Sequence, residues 1–196
     1  MPDRPITLAV LISGGGTTLQ NLLDAIAGGR LSARVALVIA SRPGIGGIAK
    51  AEAAGVPVKV VERKAFDSIE AFSAAIFKSC EEAGANLVCL GGWLQLLRLP
   101  ARWDGRVLNI HPALLPKYGG KGMFGRHVHA AVLAAGERES GCTVHYVNNE
   151  YDAGPPILQR RCPVLPGDTP ETLAARVFEE EKVAYVEAIK RVTGSL

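Results

Sequence analysis

The sequence lacks an apolar run long enough to cross a membrane. Its longest apolar stretches are residues 6–12, which are too few, and residues 83–97, which Gly, Asn and Gln interrupt. A transmembrane helix needs about 20 consecutive, predominantly apolar residues. We therefore expect a soluble protein without a membrane partner.

Cysteines are few, and none of them form a closely spaced pair. The four are Cys80, Cys89, Cys142 and Cys162. Zinc sites and redox dithiols need pairs separated by only a few residues. The sequence therefore predicts free thiols, buried or partly buried, in the reducing environment of the cytoplasm.

A large excess of charge of one sign is also missing. Lys and Arg number 22 and Asp and Glu number 19, which gives a formal net charge of +3. Nucleic-acid-binding domains cluster basic residues and commonly have an isoelectric point above about 9, whereas here the value is 8.7. We predict no nucleic-acid partner and favour a small anionic ligand.

What the sequence does contain is the composition of a folded domain. Hydrophobic residues make up 48% and charged residues 21% of the 196 residues, close to the averages for globular proteins. The length is that of one ordinary domain. We predict a single domain over residues 1–196, as a monomer or a homodimer.

Apolar runs alternate with helical patterns over the first half of the chain. Buried strands are predicted at residues 6–12, 35–40, 56–61, 86–90 and 107–110. Helices are predicted from Thr17, with Thr17 or Thr18 as N-cap and Gly28 as the stop, and at residues 47–54 and 69–83. This alternation predicts an α/β fold, with an open, mostly parallel, Rossmann-like sheet and helices on both faces.

The pattern changes after about residue 130. Residues 143–147 alternate between apolar and polar, which predicts a strand, and residues 156–160 are predicted to be its partner. The segment between the two has the Gly and Pro residues of a turn. A long helix is predicted over residues 170–192, with Thr169 as N-cap and Pro170 in the first turn. The sequence therefore predicts an antiparallel C-terminal extension of the sheet.

A glycine-rich loop follows the first strand. It reads Ser13-Gly14-Gly15-Gly16-Thr17-Thr18 and opens the first helix, where backbone N–H groups and the helix dipole favour a phosphate. It has neither the P-loop lysine nor the third glycine of a dinucleotide fingerprint. Two interpretations stay open, a phosphate site and a tight turn that needs glycines.

Ligands of such sheets bind beyond the C-terminal ends of the strands, so this loop, residues 91–97 and the segment after Ile110 should face one crevice.

Histidines do not form a recognisable metal motif. His127 and His129 are separated by one residue, without a HExxH or Cys/His grouping. A surface or hydrogen-bonded pair is the favoured interpretation, and no metal is predicted. A GxSxG nucleophile elbow is also missing from the sequence.

Asn109 and His111 stand at the end of the last parallel strand. Residues two apart share one face of a strand, so both side chains should point to the ligand-binding edge of the sheet. An amide and an imidazole together suit a carbonyl oxygen that gains negative charge. The sequence equally allows a structural interpretation, in which both residues satisfy backbone groups near Pro112, and Asp152 by itself is typical of an Asx turn.

Two segments closely resemble the signature of the folate-dependent formyltransferases. They are Asn109-Ile110-His111-Pro112-Ala113-Leu114-Leu115-Pro116-Lys117 and Asp152-Ala153-Gly154-Pro155, and the likeness extends from about Ile6 to Val192. The resemblance implies that 10-formyltetrahydrofolate is the co-substrate. Within the family, the length and the glycine loop are most similar to members that formylate 5′-phosphoribosylglycinamide in purine biosynthesis.

The resemblance also implies roles for individual residues. The catalytic set would be Asn109, His111 and Asp152. The substrate would contact Gly16, Thr17, Thr18 and Glu181. The folate pocket would be lined by Leu94, Gln95, Leu96, Leu97, Asn109, Asn148, Asn149, Glu150, Tyr151 and Asp152. The chain departs from the family at three positions and in one loop. The family usually has Asn at the position of Thr18 and often has Arg at the positions of Ile69 and Gln95. The loop over residues 119–125 is longer than in the commonest form.

A mechanism follows as an expectation. Asn109 and protonated His111 would donate hydrogen bonds to the oxyanion of a tetrahedral intermediate. The Asp152 carboxylate would raise the His111 pKa by about 1 to 3 and relay a proton. The competing interpretations are transfer to another amine such as a sugar nucleotide, hydrolysis of formyltetrahydrofolate, and a non-catalytic module that binds a phosphosugar or a folate.

Overall fold

The structure, a computed structural model, describes residues 6–194. Within that range, seven β-strands and five α-helices follow one another along the chain. The strands are β1 (Ile6–Ile12), β2 (Ala33–Ala40), β3 (Val58–Val60), β4 (Leu87–Gly91), β5 (Val107–His111), β6 (Glu139–Tyr146) and β7 (Pro156–Pro163). The helices are α1 (Thr17–Ala27), α2 (Gly46–Ala53), α3 (Ile69–Glu82), α4 (Arg126–Ala134) and α5 (Pro170–Thr193).

The first half of the chain builds the parallel part of the sheet. Strand β1 pairs in parallel with β2 on one side and with β4 on the other, and β2 pairs in parallel with β3. Leu8 and Leu11 of β1 are fully buried, as expected for a parallel strand that is covered on both faces. The predicted alternation of strands and helices is therefore confirmed in this part of the chain.

The N-terminus of α1 differs from the prediction. Thr17 and Thr18 are the first residues of the helix, and the N-cap is Gly16, with φ 69° and ψ 33° and no side-chain cap. The left-handed conformation suits glycine, which has no Cβ to clash with the backbone. The prediction of a threonine cap is wrong because the glycine turn runs directly into the helix.

The glycine loop packs against the start of α2. The Gly47 amide donates to the Gly14 carbonyl at 3.1 Å, and a Cβ on Gly16 would lie 2.6 Å from the Gly47 Cα. The Leu94 amide, after β4, donates to the Ser13 hydroxyl at 3.1 Å. Two of the three segments expected to line one crevice, the loops after β1 and β4, therefore do contact each other.

The second half of the chain carries the antiparallel extension. Strands β6 and β7 pair antiparallel from Glu139 opposite Pro163, and α5 packs against both strands and against α4. Thr169 caps α5, as predicted, and it also forms a capping box with Thr172. Both strands are longer than predicted, because the pattern on the sequence does not reveal how far the pairing extends.

Helix α4 is not among the helices predicted from the sequence. The helix is only nine residues long and begins after Gly125, whose φ is 53° and whose ψ is −133°. It has no side-chain N-cap, so the usual start signal is missing. Its helical conformation is stabilised by packing on α5, a tertiary effect.

The seven strands are arranged in the order β3-β2-β1-β4-β5-β6-β7 within one sheet. The predicted fold class, a mostly parallel α/β sheet with an antiparallel C-terminal extension, is confirmed. The chain divides into two compact units, residues 1–108 and residues 109–196, and the single domain over residues 1–196 stays a prediction.

The four cysteines are free and buried, as predicted. Burial raises the pKa of the Cys80 and Cys142 thiols to about 12, so both are protonated at neutral pH. Among residues 6–194, no helix combines the length and the apolar character that a bilayer span needs.

The close approach at Gly16 generates a prediction about stability. Gly16→Ala forces an alanine into the left-handed region, which costs about 1–2 kcal/mol, and adds a Cβ only 2.6 Å from the Gly47 Cα. Gly29→Ala is the matched control, because Gly29 has φ 68° and no neighbour within 4 Å of its Cβ position. In urea unfolding, we expect the Gly16 variant to lose more stability than the Gly29 variant. Equal losses of unfolding free energy in the two variants would show that the close approach to Gly47 of α2 does not destabilise the Gly16 variant.

Candidate active site

Strand β5 and the turn after β6 bring together the three side chains singled out on the sequence. The Asn109 Nδ2 amide donates to Asp152 Oδ1 at 3.3 Å. His111 Nδ1 lies 3.5 Å from Asp152 Oδ2, and its side chain is only 5% exposed. Asn109 and His111 are two residues apart on β5 and both contact one carboxylate, so they share a face of the strand, as alternation requires.

Asp152 is held in position by its backbone environment. Its φ is +53°, in the left-handed region that non-glycine residues rarely adopt except in special turns and functional sites. The Gly120 amide donates to Asp152 Oδ2 at 2.9 Å, so the long glycine loop contributes directly to the site. A Cβ on Gly154 would clash with the Tyr146 carbonyl oxygen, so this turn packs closely against the end of β6.

The orientation of His111 is fixed from the opposite side of its ring. His111 Nε2 lies 2.7 Å from the carbonyl oxygen of Tyr118. A carbonyl oxygen only accepts hydrogen bonds, so Nε2 carries the proton. Nδ1, the nitrogen that faces Asp152, is then the nitrogen that gains or loses a proton.

Burial and charge oppose each other at His111. Burial acts to lower the pKa of His111, and the charge of Asp152 and the hydrogen bond to Tyr118 act to raise it; burial prevails, so the pKa lies below the usual value. The expectation that Asp152 acts to raise the His111 pKa is therefore right. The net direction differs from the expectation, because strand composition does not reveal how completely the imidazole is withdrawn from water.

The Asp152 carboxyl group is shifted in the direction that keeps it charged. Burial acts to raise its pKa, but the neighbouring His145, the charge of His111 and the hydrogen bond from the Gly120 amide together outweigh burial, and the pKa lies below the ordinary value. Asp152 is therefore an anion at neutral pH.

His145 is a fourth member of the cluster that the sequence analysis did not select. Its Nδ1 donates to the Tyr146 carbonyl at 2.8 Å, so its unprotonated Nε2 accepts from the Asn109 amide at 3.1 Å. Nε2 also lies 3.6 Å from Asp152 Oδ1. The signal available on the sequence was a polar residue at a buried position of the alternating strand β6.

The hydrogen bonds of Asn109 define the orientation of its amide. Its Nδ2 atom has two hydrogens, and these face His145 Nε2 and Asp152 Oδ1. The reverse orientation would set the amide oxygen against a carboxylate, which is unfavourable. To donate to a ligand, Asn109 must therefore release one of these bonds, and the bond to Asp152 at 3.3 Å is the longer.

The candidate phosphate loop has no side-chain cap and is open at two of its glycines. Helix α1 has no side-chain cap on its first N–H groups, and nothing lies within 4 Å of the Cβ positions of Gly14 and Gly15. A Cβ on Gly91, at the end of β4, would lie 3.3 Å from the Thr18 Cβ. The uncapped amides are therefore free of a competing side-chain acceptor.

The predicted folate-lining residues differ in exposure. Leu94 is 42% exposed, whereas Leu97 is 2% exposed and belongs to the core. Gln95 and Leu96 are half-buried. In the second segment, Asn149, Glu150 and Tyr151 are exposed and Asn148 is half-buried, and Asn148 Oδ1 accepts from the Glu150 amide at 2.9 Å.

Glu181 stands on α5 in a setting that disfavours its charge. Glu181 is half-buried, and burial raises the pKa of its carboxyl group to about 7. Its charge in turn contributes to the raised pKa of Cys142 on β6. A carboxyl group that titrates near neutral pH is a common property of functional sites.

The two remaining histidines face different environments on α4. His127 is exposed and makes an edge contact with the ring of Phe124, whereas His129 is 4% exposed and its Nδ1 has no hydrogen-bond partner. They do not form the pair considered on the sequence. No cluster of three or more potential metal ligands occurs among residues 6–194.

Taken together, the fold and the cluster define a class of protein. It is an α/β protein whose buried imidazole and half-buried amide and carboxylate suit chemistry at a carbonyl group. Residues 6–189 match the formyl transferase family, and the chain belongs to that family. The resemblance seen in the two sequence segments is confirmed.

Relatives with assigned names support the same placement. The chain is 38% identical over 188 residues to the phosphoribosylglycinamide formyltransferase of Haemophilus influenzae, covering 95% of this chain and 86% of that protein. It is 41% identical over 189 residues to the trifunctional purine biosynthetic protein adenosine-3 of Gallus gallus, covering 95% of this chain and 18% of that protein. The chain spans 13–18% of the length of such trifunctional relatives.

Solved structures show the same fold. Glycinamide ribonucleotide transformylase 1 from Symbiobacterium toebii matches with a TM-score of 0.90 at 41% identity, covering 97% of this chain and 88% of that one. Phosphoribosylglycinamide formyltransferase from Brucella melitensis matches with a TM-score of 0.87 at 39% identity, covering 97% of this chain and 96% of that one. The predicted Rossmann-like formyltransferase fold is therefore confirmed.

The buried histidines generate a prediction about pH. Burial lowers the pKa of His111 and of His129 below the ordinary 6.5, so the unfolded chain binds protons more readily in that range. Their contribution to stability is fully present above about pH 6.5 and is lost as the pH falls below it. We expect the free energy of unfolding, measured with urea, to decrease from pH 7 to pH 5.

A matched pair of variants checks the assignment. His129→Gln removes one of the buried rings, so the unfolding free energy should decrease less between pH 7 and pH 5 than in the wild type. His127→Gln changes an exposed ring on the same helix and should leave that decrease unchanged. The same pH dependence in both variants would contradict the role given to burial.

Proposed function

We propose that the chain transfers the formyl group of 10-formyltetrahydrofolate to the amine of 5′-phosphoribosylglycinamide, a step of de novo purine biosynthesis. The observation that carries the proposal is the cluster of buried His111 with half-buried Asn109 and Asp152 in a chain of the formyl transferase family. Relatives that carry the corresponding name match nearly the whole chain. A module that only binds its ligands has no need of an imidazole beside a carboxylate.

In the proposed reaction, the amine nitrogen attacks the formyl carbon. A C–N bond forms and the carbonyl electron pair moves to oxygen, which gives a tetrahedral oxyanion. Asn109 stabilises that charge by turning one Nδ2 hydrogen from Asp152, 3.3 Å away, to the oxyanion. Protonated His111 donates the second hydrogen bond through Nδ1, since its Nε2 donates to Tyr118. Loss of one such donor typically costs about 100- to 1,000-fold in turnover.

Proton transfer completes the reaction. The attacking amine loses a proton and N10 of the folate gains one as the C–N10 bond breaks. Asp152 is an anion and lies 3.5 Å from His111 Nδ1, so it accepts the proton of the amine, directly or through water, and passes it to N10. Its charge also opposes the effect of burial on the His111 pKa, which keeps a protonated imidazole accessible.

Substrate contacts are proposed for residues outside the cluster. Gly16, Thr17 and Thr18 hold the phosphate at the uncapped start of α1, and Glu181 takes the glycinamide end. Leu94, Gln95 and residues 148–151 contact the folate, with backbone contacts from Leu96 and Leu97, since Leu97 is buried in the core. We propose that the reaction occurs in the cytoplasm, in keeping with four free thiols.

The first experiment is a spectrophotometric assay of 10-formyltetrahydrofolate consumption by the purified protein. It is run with and without 5′-phosphoribosylglycinamide, and with the His111→Ala variant alongside. We expect consumption that requires the acceptor and disappears in the variant. Consumption without the acceptor would indicate a hydrolase, and no consumption would contradict the proposed reaction.

Asp152→Asn separates binding from chemistry. The variant keeps the size of the side chain and loses the base, so we expect turnover to fall by at least about 100-fold while the folate Kd changes less than about threefold. Asn109→Ala should likewise reduce kcat with little change in KM, since the oxyanion exists only after attack. Unchanged turnover in the Asp152 variant would refute the mechanism.

The pKa of Glu181 predicts a pH-dependent affinity for the acceptor. With a pKa of about 7, the carboxyl group loses its charge as the pH falls below 7, and its hydrogen bonds to an amine weaken. We expect the acceptor KM of the wild type to rise from pH 8 to pH 6 and that of Glu181→Gln to be high at both values. Glu180→Gln is the control, because Glu180 pairs with Arg160 at 2.7 Å. Equal pH dependence in the wild type and Glu181→Gln would remove Glu181 from the site.

A further inference from the structure

A hydrogen-bonded group of three residues lies on the side of the His111 ring opposite to Asp152. Glu137 Oε1 accepts from the Tyr118 hydroxyl at 2.9 Å and from Lys117 Nζ at 2.8 Å. The carbonyl of the same Tyr118 accepts from His111 Nε2 at 2.7 Å. We call Glu137, Lys117 and Tyr118 the Glu137 latch.

We propose that Glu137 is a positioning residue for His111 and acts through Tyr118. The proposal rests on the proposed function in so far as it concerns catalysis. Glu137 touches neither His111 nor the reacting groups in the proposed reaction. It acts by holding the one residue whose carbonyl determines which nitrogen of His111 carries a proton.

Tyr118 needs such an anchor because its backbone conformation is unfavourable. Its φ is +58°, in the left-handed region, where the Cβ of a non-glycine residue crowds the following carbonyl oxygen. Gly119 and Gly120 follow it, and Gly120 has φ +98°. Glycines leave a loop many alternative conformations, so the loop alone does not keep the Tyr118 carbonyl on His111.

Glu137 is a suitable anchor because its own position is fixed. It follows Gly136 in the turn after α4, where its amide donates to the Val132 carbonyl at 3.4 Å. Val132 is 1% exposed, so the turn is attached to the core. Hydrogen bonds from Lys117 and Tyr118 lower the pKa of Glu137, which keeps it charged and a strong acceptor at neutral pH.

Loss of the anchor would act on the ring of His111. With the Tyr118 carbonyl displaced, Nε2 no longer needs to carry the proton, and the ring gains a second neutral tautomer. The hydrogen bond to Tyr118 also favours the charged imidazole. The other groups that act on His111 are Asp152, His145 and His129, and they do not contact Glu137 in any hydrogen bond or ion pair found among residues 6–194.

The surroundings of Glu137 make the test practicable. Tyr118 and Glu137 line an open cavity of about 320 Å³, so a shortened side chain there leaves room for water and does not open a void in the packed core. A second glutamate lies on the same cavity, Glu139, which pairs with Arg161 at 2.8 Å. It is a matched control, since its ion pair does not involve the loop that carries Tyr118.

The experiment follows the His111 ring directly by NMR. Ring ¹⁵N shifts and their pH titration are recorded for the wild type, Glu137→Ala, Glu137→Gln, Tyr118→Phe and Glu139→Ala, with a His111→Gln sample for assignment. In the wild type we expect the Nε2–H tautomer. In Glu137→Ala we expect a mixture of tautomers and a lower His111 pKa, in Tyr118→Phe a change in the same direction, and in Glu139→Ala no change. Glu137→Gln keeps an acceptor oxygen and should restore most of the wild-type behaviour.

Kinetics with 10-formyltetrahydrofolate and 5′-phosphoribosylglycinamide give the catalytic readout. We expect kcat to fall about tenfold in Glu137→Ala with KM values within about twofold, less than the roughly 100-fold that a 1 Å displacement of a catalytic group costs. The basic limb of the kcat–pH profile should move to lower pH, since catalysis uses the protonated imidazole.

The two proposals fail in different ways. An inactive wild type would refute the proposed function, and the NMR titration would still decide the role of Glu137. A His111 tautomer and titration in Glu137→Ala identical to those of the wild type, or an equal change in Glu139→Ala, would overturn the inference.

Discussion

The buried carboxylate of Asp152 is the interaction on which the rest of the site depends. One oxygen accepts from Asn109 and lies near His145, and the other accepts from the Gly120 amide and faces His111. A carboxylate withdrawn from water is costly unless such donors surround it. Its charge in turn opposes the loss of the proton from His111. Strand β5, the end of β6 and the glycine loop are therefore arranged around one negative charge.

Backbone strain is concentrated around that charge. Asp152 and Tyr118 both have positive φ, and each presents an acceptor to the same imidazole. Glycines supply the close approaches that such a geometry needs, at Gly154 against Tyr146 and at Gly119 against Asp152. The cost of the unusual conformations is offset by hydrogen bonds that converge on the cluster, a common arrangement where a site must be organised before its ligand binds.

Predictions from the sequence were most successful where one residue type has one structural consequence. Asn109 and His111, two apart at the end of a buried run, were expected to share a face, and they contact the same carboxylate. Thr169 and Pro170 marked the start of α5, which the structure confirms. The prediction failed for the cap of α1 and missed α4, since neither carries a side-chain cap.

The sequence by itself determined the order of the strands and of every helix except α4, the family and three members of the cluster, because these depend on local hydrophobic periodicity and on a short motif. Only the tertiary structure decided that His145 accepts from Asn109, that the Tyr118 carbonyl holds His111, and that burial lowers the pKa of that imidazole. Such properties depend on which groups meet across distant segments and on how much water they lose. The pattern of residues along the chain does not show which distant groups will meet or how much water they will lose, because burial and pairing arise only when the elements pack.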